Sequence, residues 1–83
     1  MKTFQILETI EDVGIIDEKV GLIEAENEND AINKFLIANT HPDDPEEGYS
    51  EYRRFHLRAE AFYIGPGGSR TMSIVTAKEI VEE

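Results

Sequence analysis

Residues 20–40 read VGLIEAENENDAINKFLIANT, and the change of period inside this stretch sets the architecture. Lys19 to Ala25 has the composition of an extended segment. After it, Asn27 or Asn29 can cap a helix, and Asp30 lies three residues beyond Asn27, as a capping-box variant requires. Glu28 and Asp30 suit the positive end of a helix dipole. Ala31, Ile32, Phe35, Leu36 and Ala38 recur at helical spacing and define an apolar stripe, while Asn33, Lys34 and Asn39 face away. Pro42 disfavours helical geometry at His41, so the helix stops near Asn39-Thr40. About three turns are marginal in isolation, so this helix must pack on a sheet.

On the N-terminal side, Phe4, Ile6 and Ile10 alternate with Thr3, Gln5 and Thr9, which predicts a half-buried strand over residues 3–10. Glu11 to Gly14 reads as a turn. Ile15 to Ala25 then forms a second extended segment, kinked at Asp17-Glu18. The link is too short for a crossover, so the two strands pair antiparallel. On the C-terminal side, THPDDPEEGYSE (40–51) reads as an exposed loop. Tyr52 to Ile64 alternates well enough to predict one continuous strand. Phe55, Leu57, Ala59, Ala61 and Tyr63 are expected on one face of it, and Arg54, His56, Arg58, Glu60, Phe62 and Ile64 on the other. Gly65 to Ser69 is a turn into a returning strand, Thr71 to Val75. Thr76-Ala77-Lys78-Glu79 fits a capping box and predicts a short terminal helix over Ala77–Glu82. The order β-β-α-β-β, with that last helical turn, predicts a single α+β domain over residues 1–83. Its sheet is mostly antiparallel, with one helix packed on a face.

The chain has a formal charge of −10, with 18 acids and 8 bases. Residues 1–51 hold 14 acids against 3 bases, and residues 52–83 hold 4 against 5. The surplus is therefore a property of the front of the chain. A field of that sign repels nucleic acid and anionic membranes and steers basic proteins inward. Hydrophobic residues make up 40%, too much for a disordered acidic tail. The absence of cysteine removes disulfides, thiolate metal sites and cysteine nucleophiles. No apolar run approaches a membrane span, and the start is unlike a signal peptide, which predicts a cytoplasmic domain.

Few motifs suggest chemistry. Gly65-Pro66-Gly67-Gly68-Ser69-Arg70 has the glycines of a phosphate loop, but a strand follows where such loops feed a helix. Asp43, Asp44, Glu46 and Glu47 lack the spacing of a calcium loop. His41 and His56 have no serine or acid at triad spacing. Arg53, Arg54 and Arg58, with Tyr52 and Phe62, have the mixture that holds single-stranded nucleic acid. The acidity of the rest of the chain favours pairing of these arginines with the domain's own carboxylates instead. No cofactor or metal is expected, and no enzyme.

Val20 to Ile32 resembles a strand-then-helix unit of several small α+β families. One is the phenylacetate-degradation B subunit family, non-catalytic subunits in which a G-x-x-x-A strand leads into a helix with an early alanine; Val75-Thr76-Ala77 and Ile80 resemble its ending. Ala25 to Ala31 is similar to the A-x-N-E-x-x-A of the archaeal ribosomal protein of the LX type. That family is basic, so its RNA contacts do not carry over to an acidic chain. In size, charge and lack of a catalytic constellation the protein also resembles phage-encoded DNA-mimic inhibitors. That resemblance implies action in a host cytoplasm on a basic DNA-binding protein. The expected function is thus a non-enzymatic acidic interaction protein, homodimeric, whose carboxylates replace DNA phosphates. Its partner-binding residues would be Glu11, Asp12, Asp17, Glu18, Asp43, Asp44, Glu46 and Glu47. The alternatives are an accessory subunit of a larger complex, or a single-strand binder using Arg54, Arg58, Tyr52 and Phe62.

Overall fold

In the computed structural model, which describes residues 1–44 and 46–81 (Pro66 by its backbone only), alternation along β1 (Lys2–Ile10) buries Phe4, Ile6, Glu8 and Ile10 on one face. A 3-10 turn over Glu11–Val13, closed by left-handed Gly14 at φ 74°, leads into β2 (Ile15–Ala25). The two strands pair antiparallel with two register shifts, one between Ile6 and Leu7, the other between Glu8 and Ile10. The second contains the expected kink: Asp17 has φ 48°, and its N–H donates to Thr9 Oγ1 at 3.0 Å. An extra residue on one strand twists and bends it, which re-aims the side chains on either side.

Helix α1 (Glu28–Asn39) is capped by Asn27, whose Oδ1 accepts from the Asp30 N–H at 2.8 Å. Asp30 reaches back past the cap to accept from the Glu26 N–H at 3.1 Å, a variant of the capping box displaced by one residue. Ala31, Ile32, Phe35 and Leu36 are buried as expected; Ala38 is exposed. The stripe ends a turn early because the chain turns away after Asn39.

Three further strands complete the sheet: β3 (Glu51–Phe55), β4 (Arg58–Ile64) and β5 (Arg70–Glu79). The spatial order is β2-β1-β5-β4-β3, with all neighbours antiparallel. The fold is α+β. The segment containing α1 carries the chain from the β2 edge to the β3 edge across one face. Phe4, Ile6, Ala31, Ile32, Phe35, Leu36, Ala59, Ala61 and Val75 form the core there. The small side chains of Ala59 and Ala61 let the helix lie close to the sheet.

Two expectations fail. The stretch 52–64 is a hairpin, turned at His56-Leu57, and not one strand. The turn inverts the face assignment: Arg54 pairs with Ala59 and Phe55 with Arg58. Cross-strand partners share a face, so Arg54 joins the helix side and Phe55 the open side. Leu57 has φ 60°, an uncommon backbone for a side chain of this size. Asn29 of α1 holds it there, its Oδ1 accepting from the Leu57 N–H at 2.8 Å. The terminal helix is also absent among the described residues. Ala77, Lys78 and Glu79 continue β5 and pair with Ile6, Gln5 and Phe4; Glu82 lies outside the described residues. Pairing with β1 satisfies the backbone of 77–79 along a central strand, which outweighs a local capping signal.

The sheet's other face has no element over it among the described residues. Leu7, Ile74 and Phe62 lie half-buried on it, and Leu22, Met72 and Ile64 are exposed. Among the described residues no helix is long and apolar enough to cross a membrane.

Candidate functional site

Strand parity places a carboxylate where a hydrophobic side chain would be expected. Glu8 continues the inward series of Phe4 and Ile6 and is only 6% exposed. It lies toward the end of the sheet where the loop after α1 folds back. That loop is pinned at its base: the His41 N–H donates to Tyr49 O at 2.7 Å, and the Tyr49 N–H to Asn39 O at 2.9 Å. Gly48 makes this return feasible, since a Cβ there would meet Asn39 O at 2.1 Å. The expectation of an exposed loop is corrected at this point. Asp43, Asp44, Glu46 and Glu47 are exposed, but Tyr49 is 2% exposed and Ser50 is buried.

The pinned loop delivers the Tyr49 hydroxyl to Glu8. Tyr49 donates to Glu8 Oε2, and Tyr63, on the inward parity of β4, donates to the same oxygen at 2.9 Å. The Tyr49 ring lies 4.7 Å from that of Tyr63, tilted by 46°, and 6.2 Å from Phe35, edge-on at 63°. Burial, then the hydrogen bond to Glu8 and its charge, push the Tyr49 hydroxyl far above its ordinary range. The same causes push Tyr63 up to about 12, with the neighbouring Tyr49 hydroxyl acting in the lowering direction. Both phenols therefore stay protonated donors at neutral pH, and neither can serve as a base there.

A cleft of about 340 Å³ opens beside this cluster, with Glu8, Val20, Phe35, Tyr49, Tyr63, Glu46 and Glu47 in its wall. Glu18 lies opposite Glu8 across the β1–β2 pairing, and its charge contributes to the raised Tyr63. Of the eight expected partner-binding residues, Glu46 and Glu47 share the cleft wall with Glu8, and Glu18 lies across the strand pair from it. Glu11 and Asp12 sit at the tip of the β1–β2 hairpin, Asp17 is held at the bulge by Thr9, and Asp43 and Asp44 lie earlier in the loop. All eight are exposed. Among the described residues the ion pairs are Lys2–Glu79, Lys34–Asp30 and Arg70–Glu51, so none of the eight is matched to a base.

The arginines are placed differently. Arg54 donates to Asn33 Oδ1 at 3.0 Å, Arg58 lies 4.9 Å over the Phe55 ring, and Arg70 lies 4.6 Å over Phe62 while pairing with Glu51. His56 approaches Asn29 at 3.5 Å in the hairpin turn, and His41 is exposed. Among the described residues no three His, Asp or Glu side chains gather closely enough to hold a metal ion. The glycine-rich segment 65–69 links β4 to β5 as a turn.

Sequence reasoning passed over Glu8, Tyr49 and Tyr63. The available signal was an acid at the one inward position of β1 that breaks the apolar series. No family model matches this sequence, and no match emerges among curated proteins or solved structures.

Proposed function

We propose that the protein is a non-enzymatic binding protein for a basic, nucleic-acid-binding partner, with its carboxylates standing in for nucleic-acid phosphates. One observation carries this reading. Glu11, Asp12, Asp17, Glu18, Asp43, Asp44, Glu46 and Glu47 are all exposed, and no described base neutralises any of them. Their field is available to a partner, whereas Arg54, Arg58 and Arg70 have contacts within the chain. Affinity of this kind is strongly salt-dependent, because exposed charges are screened over about 8–10 Å.

The test is displacement. A basic DNA-binding protein loaded with fluorescent duplex DNA should release it as this protein is added, and release should weaken steeply with salt. Changing the eight acids to Asn or Gln should abolish release while the circular dichroism spectrum stays unchanged. A ternary complex of DNA, DNA-binding protein and this chain would rule out phosphate mimicry.

A second reading, a homodimer, is favoured by the open sheet face. Leu7, Phe62, Ile64, Met72 and Ile74 are more apolar than a solvated face requires, and two such faces can cover one another. A sedimentation mass of 9.4 kDa at high micromolar concentration would remove it.

A further inference from the structure

The cleft beside Glu8 combines features that an exposed acidic surface does not need. Its wall includes a carboxylate more than nine-tenths buried, and both phenol hydroxyls donate to the same oxygen of that group. Glu8 Oε1 receives no hydrogen bond from a described residue. Glu8 itself lies in the wall of the cleft and keeps a small exposed fraction, 6%. Its charged neighbours are all of one sign: Glu18 across the strand pair, and Glu46 and Glu47 on the loop. A largely desolvated carboxylate whose cleft carries further acids and no base is complementary to positive charge.

We infer that this cleft is a receptor for a single side-chain cation, a lysine or arginine projecting from a basic protein partner. Charge selects a cation and excludes phosphate. A metal ion is disfavoured because no three ligating side chains converge among the described residues. The aromatic part of the wall suits an organic cation, whose stem packs on rings while its head meets the carboxylate. A volume of about 340 Å³ lies near the lower limit of small-molecule pockets and matches one long side chain better than a larger ligand. Glu46 and Glu47 would meet the cation at the mouth, with Glu8 Oε1 at depth. This inference rests on the reading of the acidic end as the surface for a basic partner, and it adds an anchoring pocket to that surface.

The test uses small probes, so it does not depend on any particular partner. The intact chain, isotopically labelled, is titrated with N-acetyl-lysine amide, N-acetyl-arginine amide and the neutral N-acetyl-norleucine amide, following Glu8, Gly48, Tyr49 and Tyr63 by NMR. Saturable shifts at these residues with the two cations, and none with norleucine, are expected. Glu8→Gln keeps an acceptor for both tyrosines and should weaken binding about tenfold, the scale of one desolvated charge pair. The double change Glu46→Gln with Glu47→Gln, confined to the exposed loop, should weaken it roughly three-fold, as screened mouth charges do. Glu26→Gln, at an exposed acid that is neither in the cleft wall nor among the eight, should leave binding unchanged. Absence of saturable shifts, equal shifts with norleucine, or full affinity in both the Glu8 and the loop variants would overturn the proposal. Cation binding without DNA displacement would retain the pocket and reject mimicry; displacement without cation binding would do the reverse.

Discussion

The two hairpins at opposite edges of the sheet, β1–β2 and β3–β4, treat their charges in opposite ways. In the first, β1 is a central core strand, its acid Glu8 is buried, and the acids toward the hairpin end form no ion pair among the described residues. In the second, β3 is exposed along its whole length, yet its end of the sheet matches Arg54 to Asn33, Arg58 to Phe55, and Arg70 to both Phe62 and Glu51. A count of charges does not say which are available to a partner. The contacts each charge already makes separate the two arms: the eight acids form no ion pair among the described residues, while Arg54, Arg58 and Arg70 each touch a neighbour.

The largest effect that sharpens this contrast is in the core of the acidic arm. Phe4→Ala, at a side chain 1% exposed, should cost about 3–5 kcal/mol in urea denaturation. Ile64→Ala, at the exposed end of β4, should cost under about 1 kcal/mol. Equal costs would mean that the two arms are equally integrated, and the contrast would fail. Next comes Tyr49→Phe, which removes a donor from a buried carboxylate and should cost about 1–3 kcal/mol. Tyr63→Phe, at a less buried ring, should cost less.

Alkaline pH probes the same cluster without mutation. The folded Tyr63 hydroxyl is raised from 10.0 to about 12, so its contribution to stability is full below pH 10 and is lost as pH rises through about 12. The urea midpoint should fall across that window, and the fall should be shallower in Tyr63→Phe. Tyrosinate absorbance should develop later in the folded chain than in the unfolded one; coincident titrations would contradict the buried phenol–carboxylate cluster. The smallest effect belongs to the arginine arm. Arg70 and Glu51 have more than half of each side chain exposed, and Arg70→Gln should change stability by only about 0–1 kcal/mol. A larger loss would show that this arm depends on its charges as the acidic one does.

Much of the fold was legible because it is set by near neighbours. The Asn27 cap, the end of the helix near Thr40, the Glu11–Gly14 turn and the kink at Asp17 each follow from side chains within a few residues. The hairpin at His56-Leu57 was not legible. It lacks the Gly or Asn that marks such turns, and its left-handed Leu57 is held by Asn29, 28 residues earlier. Ala77–Glu79 carried a helical signal that β1 overrode from the other end of the chain. Within the candidate site, exposure of the eight acids was readable from composition, but their division among cleft, hairpin tip and loop was not.

The α+β class, the single helix with its cap, and the excess of acids over bases in residues 1–51 were determined by the sequence itself, since period, capping and charge are properties of short stretches. Tertiary structure alone decided which charges are matched and where the cleft lies. Glu8 meets Tyr49 across 41 residues and Tyr63 across 55, and only the assembled sheet with its folded-back loop brings such distant groups into hydrogen-bonding range.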